Sequence, residues 1–237
     1  MTEYPSEWSE HDLGKWGKIV FYQWKHPQEV RKEFSEKQID WLAQFISPGD
    51  SCVDIGAYTG DTALPMAVAT GANGEVFAWE PNKTTYAILH QNSLQNPQFA
   101  PIVRRNKAVG MKKGKEVFKY DSTRMNGGRL VEGEDVIVSI ERLDIFKFKK
   151  RLAYVKIDTE GQDAELFAGY MSMFRQNKSV VQVERYPHLN HLGAEMLWRV
   201  ITEYGVPFVE GDWDRKPLDA LPEGLCNILV SPHNADV

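Results

Sequence analysis

From Asp50 onward, short apolar runs alternate with helix-patterned segments, and the first run ends in a carboxylate followed by two glycines: VDIGAYTGDT, Val53 to Thr62. This order constrains the fold most. A strand that hands the chain to a helix, several times over, predicts parallel strands joined by crossover helices, an α/β sheet with helices on both faces. In such sheets ligands sit beyond the carboxyl ends of the strands, which places the Asp54–Asp61 turn at a binding site. A nucleotide-like ligand is one reading of that turn; a tight structural turn is the other.

The pattern predicts strands at 51–55, 74–80, 101–109, 151–158, 179–186, 206–210 and 225–230, the last pairing antiparallel. Helices are expected from Thr62 to Ala69, Lys83 to Gln95, Gln162 to Phe174 and Ala194 to Tyr204. Ser35 with Gln38 fits a capping box opening an earlier helix whose face is Ile39, Leu42, Ala43 and Ile46, and Pro48-Gly49 ends it. Lys115–Tyr120 and Asp135–Ile140 read as an antiparallel excursion around Asn126-Gly127-Gly128. Residues 1–33, with Trp8, Trp16 and Trp24, show no period and read as an irregular N-terminal extension that packs on the main domain, 34–237, or covers a site.

A chain of 237 residues can bury one full core. Its formal net charge of −5 gives no general attraction to nucleic acid or an anionic membrane. The basic runs Arg104-Arg105, Lys112-Lys113-Lys115 and Lys149-Lys150-Arg151 read as solvated loops and strand ends rather than a polyanion site. Cys52 and Cys226 each lie in an apolar run, as buried thiols do, and no Cys/His spacing suggests zinc. No apolar run reaches the ~20 residues of a membrane span, and MTEYPSEWSEHD is unlike a secretory signal. A cytoplasmic setting is expected.

The turn is neither GxxxxGK[ST] nor GxGxxG. Asp54 at the strand end is awkward beside a pyrophosphate and suits a ligand carrying an ammonium or sulfonium. S-adenosylmethionine has that chemistry: its ammonium can face Asp54, directly or through water, and amides at the next helix start can take its carboxylate. Glu80 ends the second strand, beside Pro81 and Asn82, where a carboxylate accepts from both ribose hydroxyls. Asn106, ending the third strand, can reach the adenine edge. In VKIDTEGQDAELFAG, Val155 and Ile157 face one way and Lys156 and Asp158 the other, with Glu160 continuing that row if the strand extends. Glu184 sits at the next strand tip, before Arg185, Tyr186 and His188. Asp158 and Glu184 would flank a methyl acceptor and one would take its hydroxyl proton. The plain alternative is a local Lys156–Asp158 ion pair with Glu160 starting the next helix. Asp158, Glu160 and Glu184 offer oxygen ligands, but the spacing has no metal signature and no metal is expected.

These segments resemble the FkbM family of S-adenosylmethionine-dependent methyltransferases. The resemblance rests on VDIGAYTGDT, VFAWEPN, NKAVG, the ERLD segment at 141–144, VKIDTEGQDAELFAG and VQVERYPH, over roughly residues 36–190. It implies a Rossmann-like class I fold, a mostly parallel seven-stranded sheet with an antiparallel last strand, and O-methylation of hydroxyls on sugars or natural products. It implies that Asp54, Gly56, Gly60 and Glu80 hold the cofactor, with Asp158 near the methionine end. Ala57, Tyr58, Thr59, Asp61, Thr62, Pro81, Asn82, Asn106 and Ala108 complete the candidate cofactor set, and Asp158, Glu184 and Lys156 the catalytic set. Asp163 stands where the family usually has Glu, and Tyr58 where a small polar residue is commoner. A small-molecule or carbohydrate acceptor is the expected partner, with neither nucleic acid nor membrane. A nicotinamide-dependent oxidoreductase and a non-catalytic nucleoside-binding protein are the rival readings; the missing third glycine and Asp54 argue against the first.

Overall fold

The computed structural model describes residues 5–120, 134–185 and 191–233. Before the main sheet the chain forms an antiparallel ribbon, β1 (Ser6–Asp12) and β2 (Lys18–Trp24), where the sequence suggested irregular chain. In β1 the run SEWSEHD presents no apolar face, so its pairing is invisible to hydrophobic periodicity. The ribbon docks through two asparagine side chains that imitate a strand edge. Asn92 accepts from the Tyr22 amide at 2.6 Å and donates to the Tyr22 and Thr59 carbonyls at 3.2 and 2.8 Å. Asn96 accepts from the Val20 amide at 2.8 Å and donates to its carbonyl at 2.9 Å. Asn92 is fully buried. Asn92→Ala is therefore expected to cost about 3 kcal/mol, since several buried groups lose their partner at once; thermal unfolding measures it.

Helix α1 (Glu36–Leu42) is capped by Ser35, whose hydroxyl accepts from the Gln38 amide, but the Gln38 side chain makes no return bond, so half of the capping box is present. The alternation follows: β3 (Ser51–Ile55), α2 (Ala63–Thr70), β4 (Glu75–Trp79), α3 (Lys83–Leu94) and β5 (Ile102–Arg105). The single strand expected at 101–109 is broken. It leaves the main sheet after Arg105, and β6 (Ala108–Val109) joins a separate three-stranded sheet with β7 (Gly114–Tyr120) and β8 (Glu134–Glu141). The strands β7 and β8 pair antiparallel as expected; the Asn126-Gly127-Gly128 turn lies outside the described residues. Then come β9 (Leu152–Ile157), α4 (Asp163–Asn177), β10 (Val180–Arg185), α5 (His191–Tyr204), β11 (Gly205–Val209) and β12 (Cys226–Pro232).

The main sheet has seven strands in the order β11-β12-β10-β9-β3-β4-β5. Only β12 runs antiparallel to its neighbours. The middle strands β3, β4 and β9 are buried throughout, as a two-sided parallel sheet requires. Their side chains alternate between two cores. Cys52, Val76, Ala78 and Tyr154 face α1, α2 and the ribbon. Val53, Ile55, Phe77, Trp79, Val155 and Ile157 face α4 and α5. After β3 the chain builds outward through β4 to β5, then returns to lay β9 on the other side of β3. The carboxyl ends of β3 and β9 thus border the crevice where connections diverge, the place such sheets bind ligands. Cys52 is buried as expected, whereas Cys226, at the exposed start of β12, is half-buried.

Candidate functional site

Beyond the ends of β3, β4, β9 and β10 lies a cavity of about 260 Å³. Its floor is a close contact between two turns. Gly56 has φ of 84°, and a Cβ there would meet the Asp158 carbonyl oxygen at 1.8 Å. The Asp158 amide in turn donates to the Ile55 carbonyl at 2.9 Å. Only glycine allows this approach, so the turn after β3 and the turn after β9 form one surface.

The glycine turn is tied down by its neighbours. The Gly56 and Ala57 amides both donate to the Trp79 carbonyl at 2.9 Å. Tyr58, at φ of 50°, donates its amide to Glu80 at 2.8 Å, and the other Glu80 oxygen accepts from the Asn82 amide at 2.8 Å. Burial pushes the Glu80 carboxyl up to about 7, against the pull of those amides. Each carboxylate oxygen can accept a second hydrogen bond, and Glu80 lines the cavity.

Asp54 is wholly buried beneath this floor and does not line the cavity. Neither of its oxygens has a well-formed hydrogen bond, although the Ala63 amide lies near enough to pull on the carboxyl. Burial raises its carboxyl to about 7; Lys156 opposes the rise, while Asp61 and Asp158 add to it. A buried carboxylate with only Lys156 and the Ala63 amide to offset it favours a positive charge above the floor.

The opposite wall carries three carboxylates. Oxygens of Asp158, Glu160 and Glu184 lie within 4.8 Å of one another. Glu160 does not extend the β9 row: the strand ends at Ile157, and Glu160 reaches the wall from a turn at φ of 57°. Burial, then the charges of Asp158 and Glu160, push Glu184 up to about 8. Lys156 holds Asp158 at 2.8 Å. Burial weakens the Lys156 ammonium, but Asp158, Asp54 and Asp61 outweigh it and keep it charged. The trio could hold a cation, and Lys156 already places one charge beside it.

Of the expected residues, Gly56, Tyr58, Asp61, Glu80, Pro81, Ala108, Lys156, Asp158 and Glu184 line the cavity. Asp54, Ala57, Thr59, Gly60, Thr62, Asn82 and Asn106 do not. Gly60, at φ of 92°, packs against Leu89. The Thr59 carbonyl serves Asn92. Asn82 caps α3 through the Thr84 amide. Asn106 is not at an adenine edge: its amide nitrogen donates to the Glu80 and Pro81 carbonyls at 2.9 and 3.1 Å, and so shapes the turn that presents Glu80. Asp163 closes the turn after β9, accepting from the Thr159 and Gly161 amides at 3.2 and 3.1 Å. His188 lies outside the described residues.

Three contributors lie outside the expected site residues, although Glu141 opens the ERLD segment. Glu29 and Lys32, from the stretch after the ribbon, line the cavity. Glu29 accepts from the Tyr58 hydroxyl at 2.6 Å, and Lys32 pairs with Asp61 at 2.9 Å. Glu141, on β8, is the buried hub at the other end. It accepts from the Trp79 indole at 2.9 Å, from Arg105 at 3.0 Å and from the cavity-lining Lys107 at 2.6 Å. Arg105 thus has a buried partner, while Lys112, Lys113, Lys115, Lys149 and Lys150 are exposed.

No curated protein matches the chain. Among solved structures, a putative rRNA methylase from Clostridium thermocellum superposes with a TM-score of 0.52 at 11% identity, covering 86% of this chain and 97% of that one. A methyltransferase FkbM from Methylobacillus flagellatus gives 0.48 at 14% identity, over 78% of this chain and 44% of that one, so this chain spans less than half of that protein's length. A SAM-dependent O-methyltransferase from Thermotoga maritima gives 0.47 at 12% identity, over 96% and 78%. The first of these supports the Rossmann-like fold. No helix among the described residues is long and apolar enough to cross a membrane. The model of the methyltransferase FkbM domain matches residues 54–205, well over half of the sequence and the span that holds the glycine turn, Glu80 and the acidic wall; the chain belongs to that family.

Proposed function

We propose that this chain is an S-adenosylmethionine-dependent O-methyltransferase acting on a hydroxyl of a sugar or natural-product-like small molecule. The carrying observation is the pairing, across one cavity, of Glu80 at the end of β4 with Asp158 and Glu184 at the ends of β9 and β10. The residues fit the cofactor. Glu80 has acceptor capacity for a ribose diol, Gly56 admits close approach, and the buried Asp54 favours a cationic ligand above it. The cofactor supplies a methyl group activated on a sulfonium sulfur.

The chain's own work is alignment, water exclusion and removal of one proton. Glu184 stands beside Asp158 with its affinity for a proton raised into the neutral range, which suits a base that takes a hydroxyl proton. Lys156 holds and orients Asp158 at 2.8 Å. A wall of three carboxylates suits an acceptor rich in hydroxyl donors, which supports a polyol or sugar and disfavours a polyanion such as nucleic acid.

Glu80→Ala is expected to weaken S-adenosylhomocysteine binding by roughly ten- to a hundredfold, the worth of hydrogen bonds to a charged group. Calorimetry on the purified chain tests this. Unchanged affinity would overturn the ribose assignment. Binding of NADH in place of S-adenosylhomocysteine would overturn the cofactor, and labelled-methyl transfer across a panel of sugars tests the acceptor class.

A further inference from the structure

The methionine portion of the proposed cofactor is a zwitterion, and the cavity supplies its two halves unequally. Negative charge is plentiful near the glycine turn, from Asp54, Asp61 and Asp158. A donor for the carboxylate is harder to find. At the head of α2, Asp61 lines the cavity, while Thr62 and Ala63 do not. The Gly56 and Ala57 amides are spent on Trp79, and the Tyr58 amide on Glu80. Among the described residues, three cations line the cavity: Lys32, Lys107 and Lys156. Lys107 is bound to Glu141 at the far end, and Lys156 is held by Asp158.

Lys32 is placed differently. Its ammonium contacts Asp61 at 2.9 Å, lies 3.7 Å from Glu29 and sits 5.3 Å from the centre of the Tyr58 ring. Two of those neighbours belong to the glycine turn itself. An ammonium has three donors, and the Asp61 contact occupies one. Glu29 is drawn to the Tyr58 hydroxyl at 2.6 Å, which anchors the segment carrying Lys32. A lysine already fixed by a carboxylate, an aromatic face and a tethered backbone binds an anion with little further loss of side-chain freedom.

We propose that Lys32 receives the carboxylate of the cofactor's methionine portion, so that the N-terminal segment is a working part of the cofactor site. This rests on the S-adenosylmethionine reading above. Lys32 then selects for the amino acid tail, and Asp61 serves as its holder.

The test uses the full chain and two ligands that differ in that tail: S-adenosylhomocysteine, which has the carboxylate, and 5′-methylthioadenosine, which lacks it. Binding of each to wild type, Lys32→Met, Lys32→Gln and Lys32→Arg is measured by calorimetry. Lys32→Met is expected to lose roughly ten- to a hundredfold in affinity for S-adenosylhomocysteine and to bind 5′-methylthioadenosine within about twofold of wild type. Lys32→Arg is expected to retain most of the S-adenosylhomocysteine affinity, and Lys32→Gln carries the test if the methionine variant does not fold. An equal loss for both ligands would reduce Lys32 to a clamp on the cavity wall and overturn the proposal, as would no loss for either. If wild type binds neither ligand, the cofactor reading itself fails, an outcome distinct from both.

Discussion

Glu184→Gln is expected to lower kcat by about 10²–10⁴-fold, the usual contribution of a positioned base, with S-adenosylhomocysteine affinity little changed. The pH profile is the sharper readout. A base must be ionised to accept a proton, and the Glu184 carboxyl is raised to about 8. Wild-type kcat should therefore rise through that pH and level off above it, and the variant should lose this limb. Stability should move the opposite way. A carboxyl raised in the folded state binds its proton more tightly there than in the unfolded chain. Its contribution is most favourable below the unfolded value of about 4.5 and declines as pH rises through about 8. Asp54 and Glu80, both raised to about 7, act in the same direction. The ligand-free protein should lose stability from acid to mildly alkaline pH, and Glu184→Gln, fixed in a neutral form, should exceed wild type on the alkaline side. A variant with full kcat and an intact limb would remove Glu184 from proton transfer.

Gly56→Ala is expected to destabilise the fold by about 3–5 kcal/mol and to abolish S-adenosylhomocysteine binding. Two penalties combine. The positive φ costs an L-residue about 1–3 kcal/mol, and the new methyl would stand 1.8 Å from a backbone oxygen that has no rotamer to change. For a chain of this size the loss corresponds to a fall in Tm of about 6–20 °C. Gly205→Ala is the control. Its Cβ would meet the Ser231 carbonyl oxygen at 1.7 Å, between β11 and β12 and away from the cavity. It should lose stability while the folded fraction still binds ligand. Equal binding by both variants would show that the contact between Gly56 and Asp158 does not shape the site.

The main sheet was legible because its central strands are apolar on both faces and its helices follow at short, regular intervals. The glycine turn and the charged strand ends stood out against that background, since nothing in a packed sheet explains Asp54, Glu80 or Asp158. Other features left no trace for physical reasons. The β1–β2 ribbon pairs strands with little apolar contrast and docks on side-chain amides of Asn92 and Asn96, which no periodicity registers. The break after Arg105 was hidden because β5 and β6 are adjacent in sequence and differ only in which sheet they join. Asn106 carried the right chemistry for a base edge, yet its hydrogen bonds went to the backbone of its own turn. Glu29 and Lys32 reach the cavity across the fold, a relation no local pattern contains.

The ribbon's mode of attachment has a consequence for how the molecule opens. Among the described residues, no backbone-to-backbone hydrogen bond joins residues 5–33 to the rest of the chain; the polar ties run through side chains, among them Asn92, Asn96, Gln91, Gln98, Asp40, Tyr58 and Asp61, and the apolar ones through Leu13, Ile19 and Phe21. The ribbon can detach without breaking one rung of the seven-stranded ladder. The amides of Val20 and Tyr22 are then expected to exchange with solvent at a lower free energy than those of β3, the opening having to break the apolar contacts of Leu13, Ile19 and Phe21 with the main core but none of its strand pairing.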